Sequence, residues 1–95
     1  MIRLSGRDKE YIEITAPSAT HSGYGVQIMT SKKKQILPIV MGELMPKPWG
    51  AFYQGGMQDP EWIYFEFLGN FSPENLDELI EIVERIAKQF NLAVL

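Results

Sequence analysis

His21 is the one histidine of the chain, and it stands among hydroxyls, with Ser18, Thr20 and Ser22 close by. An imidazole beside a hydroxyl is the pairing that general-base activation of a nucleophile uses. The same pairing arises without chemistry in polar loops, and 17–23 reads as such a loop. The preferred reading of His21 is a surface or hydrogen-bonded loop residue. A small enzyme with a site shared between subunits, His21 as base and Glu43 or Glu66 as helper, is the third functional reading. With no cysteine in the chain, thiolate nucleophiles, redox pairs and zinc–thiolate sites are excluded. One histidine with scattered carboxylates gives no metal-ligand spacing, so no metal and no cofactor is expected.

Gly23-Tyr24-Gly25 is a fragment of a glycine-rich loop. It leads into a strand pattern rather than a helix and lacks a third glycine, so a phosphate cradle is not indicated. Lys32-Lys33-Lys34 is the one basic cluster. It reads as a solvated hairpin turn that discourages edge pairing, although three lysines also suit a phosphate or an acidic partner.

The densest set of contact-forming residues runs from 42 to 62. Prolines 46 and 48 stiffen its start, and Gly55-Gly56 allow close backbone approach. Tryptophans, a tyrosine and methionines supply adaptable apolar surface of the sort that lines pockets and interfaces, and that also builds ordinary cores. If this region forms a ligand pocket, Trp49, Tyr53, Gln54 and Trp62 are its expected walls, with Glu43 and Lys47 as polar handles. Glu66 interrupts an apolar strand pattern. If the face it occupies is covered, its carboxylate must pair or hydrogen-bond, because unpaired burial is expensive. Arg3, Arg7 or a lysine is its natural partner.

The elements that would hold these residues follow from periodicity. The segment 61–68 alternates as a strand, with Ile63, Phe65 and Phe67 on one side and Trp62, Tyr64, Glu66 and Leu68 on the other. Gly69-Asn70 turns the chain. Ser72 is a good N-cap, Pro73 suits the first helical position, and Phe71 and Leu76 stand at the positions of a hydrophobic staple. Leu76, Leu79, Ile80, Val83, Ile86, Ala87 and Phe90 make one apolar face, with Ile82 off the stripe and free for a second surface. Glu81–Arg85 and Glu84–Lys88 are favourable i, i+4 pairs, and Asn91 is a left-handed terminator. Further strands are expected at 10–15, 24–30, 35–41 and 49–54, with a short closing strand at 92–95. Pro38 places the 35–41 strand at an edge or a bulge.

Strands followed by one long helix predict an α+β fold: an antiparallel sheet of four to five strands with a long C-terminal helix packed across one face, as a single domain over 1–95. One helix cannot cover both faces. The far face then presents Trp62, Tyr64 and Glu66, and an uncovered aromatic face is commonly an association surface. Homodimerisation, sheet to sheet or edge to edge, is the leading expectation; the alternative is that the N-terminal segment folds over that face. The first functional reading is thus a non-catalytic interaction or regulatory protein that self-associates and binds another protein. The second is a small-ligand module using the 42–62 region.

Charge narrows the partners. The net charge is −3, with seven basic against four acidic residues (+3) in 1–48 and two against eight (−6) in 49–95. An acidic total argues against general nucleic-acid binding, which depends on phosphate neutralisation. No apolar run approaches a membrane span, and residues 1–7 lack the apolar core of a signal peptide. A cytoplasmic protein is expected. Asn70-Phe71-Ser72 matches a glycosylation sequon, but Pro73 makes a turn into the helix the better reading.

Overall fold

A computed structural model describes residues 10–20, 23–54 and 61–95. His21, Arg3, Arg7 and Gly55-Gly56, weighed above, lie outside the described residues. The chain runs β1 (Tyr11–Thr15), β2 (Gly25–Met29), α1 (Lys33–Leu44), β3 (Ala51–Tyr53), β4 (Trp62–Phe67), α2 (Leu76–Phe90) and β5 (Ala93–Val94). The fold is α+β, with a five-stranded sheet in the order β3-β4-β2-β1-β5. Three of the pairings are antiparallel, and β5 joins β1 in parallel.

The C-terminal half forms as its residues dictate. A 3-10 turn, Pro73–Asn75, precedes α2. The Ser72 amide donates to Asn75 Oδ1 at 3.0 Å, and the Asn75 amide donates to the Ser72 carbonyl at 2.8 Å. Asn75 thus takes the part that Glu or Gln plays in a capping box. At the far end Asn91 adopts the left-handed region (φ 58°), and the Leu92 amide closes back on the Ala87 carbonyl at 2.9 Å. The buried face of α2 is Leu79, Ile82, Val83, Ile86 and Ala87. Ile82 is inside and Ile80 outside, a rotation of the expected stripe. The cause is a second neighbour: α2 packs on α1 as well as on β1 and β5.

That second helix corrects the sequence reading of 31–41. Lys32-Lys33-Lys34 is not a hairpin turn and 35–41 is not a strand; Lys32 caps α1, and Lys33, Lys34 and 35–41 belong to it. The side chains that decide this are Ile36, Val40 and Leu44, four residues apart and all buried. Thr30 helps to start the helix, its Oγ1 accepting the Lys32 amide at 2.9 Å. Pro38 lies inside the helix and denies the Lys34 carbonyl its usual donor. Both residues are exposed, so water can serve that carbonyl.

Both helices share one face of the sheet. Ile12, Val26, Ile28, Ile63, Phe65 and Phe67 from the strands form a single buried cluster with Ile36, Val40 and Leu44 of α1 and the buried face of α2. Salt links join the two helical regions: Arg85 reaches Glu43 at 3.4 Å, and Lys47 pairs with Glu78. Among the described residues no helix lies on the opposite face of the sheet.

Candidate binding site on the helix-free face

Strand register arranges the helix-free face in rows. The first row is Tyr11, Met29 and Trp62; the second is Glu13, Gln27 and Tyr64; the third is Thr15, Gly25, Glu66 and Phe52. Gln54 extends the second row, since its amide donates to the Tyr64 carbonyl at 2.8 Å.

Two hydrogen-bonded chains cross these rows. The Trp62 indole N–H donates to Gln27 Oε1 at 3.0 Å, and Gln27 Nε2 donates to Glu13 Oε1 at 3.2 Å. An indole only donates and a carboxylate only accepts, so the orientation of the Gln27 amide is forced from both sides. In the second chain, Gln54 Nε2 donates to Glu66 Oε1 at 2.7 Å, and the Gly23 amide donates to Glu66 Oε2 at 3.3 Å. Glu66 is only 5 % exposed, so these donors replace the water that its carboxylate loses. The Trp62 and Tyr64 rings stack nearly parallel, 5.9 Å apart and 3° from coplanar.

Between the two chains lies a pocket of about 220 Å³, lined by Thr15, Ala16, Ser18, Gln27, Gln54, Trp62 and Tyr64. Gly25 lies against two of these residues, Thr15 and Tyr64. A Cβ there would stand 2.9 Å from Thr15 Oγ1, 3.0 Å from the Tyr64 hydroxyl and 2.6 Å from the Phe65 carbonyl oxygen. The two hydroxyls and the carbonyl thus close over Gly25 and leave no room for a side chain. Thr15 Oγ1 is buried and has no hydrogen-bond partner among the described residues.

At the start of α1 a separate polar knot forms. Thr30 and Ser31 hydroxyls donate to the Glu10 carboxylate at 2.9 and 2.8 Å. Burial pushes the Glu10 carboxyl up, but those hydroxyls, the Ser31 backbone and the charge of Lys32 outweigh it and hold the group below its ordinary value of 4.5. The knot ties β1 to the helix start and has no opening to the pocket face in its hydrogen bonds.

The chain has no family model, curated protein or solved structure that matches it.

Of the residues singled out in the sequence, the fold brings Gln54, Trp62, Tyr64 and Glu66 together on this face. It places the others elsewhere. Trp49 is 2 % exposed and sits edge-on to Phe67 and Phe71, with ring centroids 5.5 and 4.9 Å away. Tyr53 is in register with Phe65 and packs on it at 5.1 Å, on the helix side. Glu43 and Lys47 join the helices, as described above. The sequence signal for Gln27, Glu13 and Thr15 is their place as the polar members of the strand alternations at 10–15 and 24–30.

The pocket offers hydrogen-bond acceptors, amide groups and aromatic surface. Among the described residues no three of His, Asp and Glu group as metal ligands, and no base hydrogen-bonds to the Thr15 hydroxyl. No helix among the described residues is long and apolar enough to cross a membrane.

Proposed function

We propose that this chain is a non-catalytic recognition module whose working surface is the helix-free face of the sheet. Trp62 and Tyr64 supply stacking surface, and Gln27 and Gln54 supply oriented amides. The observation that carries the reading is the pre-set network on both sides of the pocket. Trp62, Gln27 and Glu13 fix one wall; Gln54, Glu66 and Gly23 fix the other. Side chains already held in place lose less freedom when a ligand arrives, and this is how small polar sites gain affinity.

The test is a fragment and metabolite screen by thermal shift, since a ligand that binds only the native state raises the melting temperature. Ligands are expected that stabilise the natural chain and fail to stabilise Trp62→Leu. A broad screen at concentrations above about 1 mM with no such ligand removes the reading.

A second reading, association of two copies, is favoured by one feature. Phe52 is 52 % exposed on β3, which among the described residues pairs only with β4 and so stands at the sheet edge. Exposed apolar edges invite pairing with another chain. Sedimentation velocity on the natural chain and on Phe52→Lys tests it: a dimer lost in the variant supports edge association, and a monomer in both rejects it.

A further inference from the structure

We propose that the pocket between Gln27 and Gln54 takes an uncharged planar amide, a lactam or a carboxamide. This rests on the reading of the helix-free face as a recognition surface and names the chemistry that surface prefers.

Hydrogen-bonding capacity is the first support. A glutamine side chain has two N–H donors and an oxygen with two lone pairs. Gln27 uses one donor on Glu13 and one lone pair on the Trp62 indole. Gln54 uses one donor on Glu66. Neither side chain makes another hydrogen bond among the described residues. Gln27 therefore keeps one donor and one acceptor position, and Gln54 keeps one donor and two. Both amides have a set orientation, because a carboxylate only accepts and must face the nitrogen. Register puts the two glutamines in one row with Tyr64 between them, two strand spacings or about 10 Å apart. A carboxylate ligand can only accept and an ammonium can only donate, so each leaves part of this pattern unmet. A lactam or carboxamide does both through adjacent atoms.

The lining gives the second support. None of the seven residues that line the pocket carries a formal charge. A charged ligand would exchange water for neutral partners, which is costly, whereas an amide loses little if its hydrogen bonds are remade. The indole N–H of Trp62 is already used by Gln27, so what the tryptophan offers a ligand is ring surface, against which a flat group packs. The volume of about 220 Å³ equals the share of roughly seven liquid waters, room for a small lactam ring.

The experiment is an NMR titration of the labelled full chain with five probes: 2-pyrrolidinone, its ring analogue cyclopentanone, which lacks the N–H, pyrrolidinium, butyrate, and the peptide Gly-Gly-Gln-Gly-Gly. 2-Pyrrolidinone is expected to shift the Trp62 indole and the Gln27 and Gln54 side-chain amides. Cyclopentanone should bind at least about fivefold more weakly, because it leaves an acceptor in the pocket unmatched, and pyrrolidinium and butyrate should bind more weakly as well. Gln54→Met should weaken 2-pyrrolidinone about three- to tenfold; the comparison of probes on the natural chain stands whether or not that variant folds. Peptide binding at least about tenfold tighter than 2-pyrrolidinone supports the amide site with a partner's glutamine side chain as its source, and equal or weaker binding supports it with a free small amide. If cyclopentanone or either charged probe binds as tightly as 2-pyrrolidinone, the amide assignment is overturned while the recognition surface stands. If no probe shifts these signals, the assignment is overturned, and the library screen then decides the surface reading separately.

Discussion

Alanine in place of glycine should act with opposite sign at two positions of this fold, Gly25 and Gly42. At Gly25 the new Cβ would sit 2.6 Å from the Phe65 carbonyl oxygen, 2.9 Å from Thr15 Oγ1 and 3.0 Å from the Tyr64 hydroxyl. The first of these is backbone in the partner strand of the β2–β4 pair, so relief requires that the pair move apart. Forcing a methyl into a filled site costs about 1–3 kcal/mol. Alanine also restricts the unfolded chain, which returns about 0.4–1 kcal/mol. The net expectation for Gly25→Ala is a loss of about 1–2 kcal/mol. At about 4–8 °C per kcal/mol for a chain of this size, the midpoint falls by roughly 4–16 °C.

Gly42 is exposed in α1, and a Cβ there meets nothing within 4 Å. In a helix the change to alanine gains about 0.5–1 kcal/mol, a rise of roughly 2–8 °C. Thermal unfolding followed by circular dichroism reads both, with urea titration as the check on two-state behaviour. Gly25→Ala melting at or above the natural chain would refute the close approach of β2 to β4. Gly42→Ala melting lower would refute the helix at 33–44.

Two further outcomes follow from burial and charge. Phe65→Ala, at a fully buried position against Tyr53, should cost about 3–5 kcal/mol, whereas Phe52→Ala should stay within about 0.5 kcal/mol; urea midpoints measure both. Glu10 is held below its ordinary value of 4.5 by Ser31, Thr30 and Lys32, so its contribution is complete above that value and fades as pH falls through the lower, folded one. Stability curves of the natural chain and Glu10→Gln should therefore differ at neutral pH and converge in acid, and a gap that is constant with pH would contradict the knot at the start of α1.

The parts legible in the sequence are those whose local signals agree. Ser72, Pro73 and the spacing from Leu76 to Phe90 all indicate a helix, and Asn91 ends it in the left-handed conformation found. The alternation in 61–68 separated Phe65 and Phe67 from Trp62, Tyr64 and Glu66 correctly. At α1 the local signals oppose the outcome. Three lysines stand at a helix start that disfavours positive charge, Ile36, Ile39 and Val40 are β-branched, and Pro38 removes a bond. What favours the helix is burial of Ile36, Val40 and Leu44, contacts with β4 and α2 that no local window contains. Grouping 42–62 as one pocket overlooked a local rule. Successive strand residues point to opposite faces, so Tyr53 and Gln54 cannot line the same cavity. Gln27 and Glu13 become neighbours only through the β1–β2 register.

A helix-free sheet face needs nothing more than polar residues to sit in water, and Glu13, Gln27 and Gln54 would meet that need without any order among them. This face is more constrained. Tyr64 and Glu66 are each 5 % exposed, so a carboxylate has been taken out of solvent on the side where the described residues place no helix. Burying it is unfavourable, and replacing it with an apolar side chain would be the cheaper route to stability alone. The fold instead spends a glutamine and a backbone amide on holding it, and repeats the carboxylate–glutamine pairing across the pocket at Glu13 and Gln27. On the recognition reading proposed above the repetition has a use: two carboxylate–glutamine pairs flank an aromatic wall and set the width of what can lie between them.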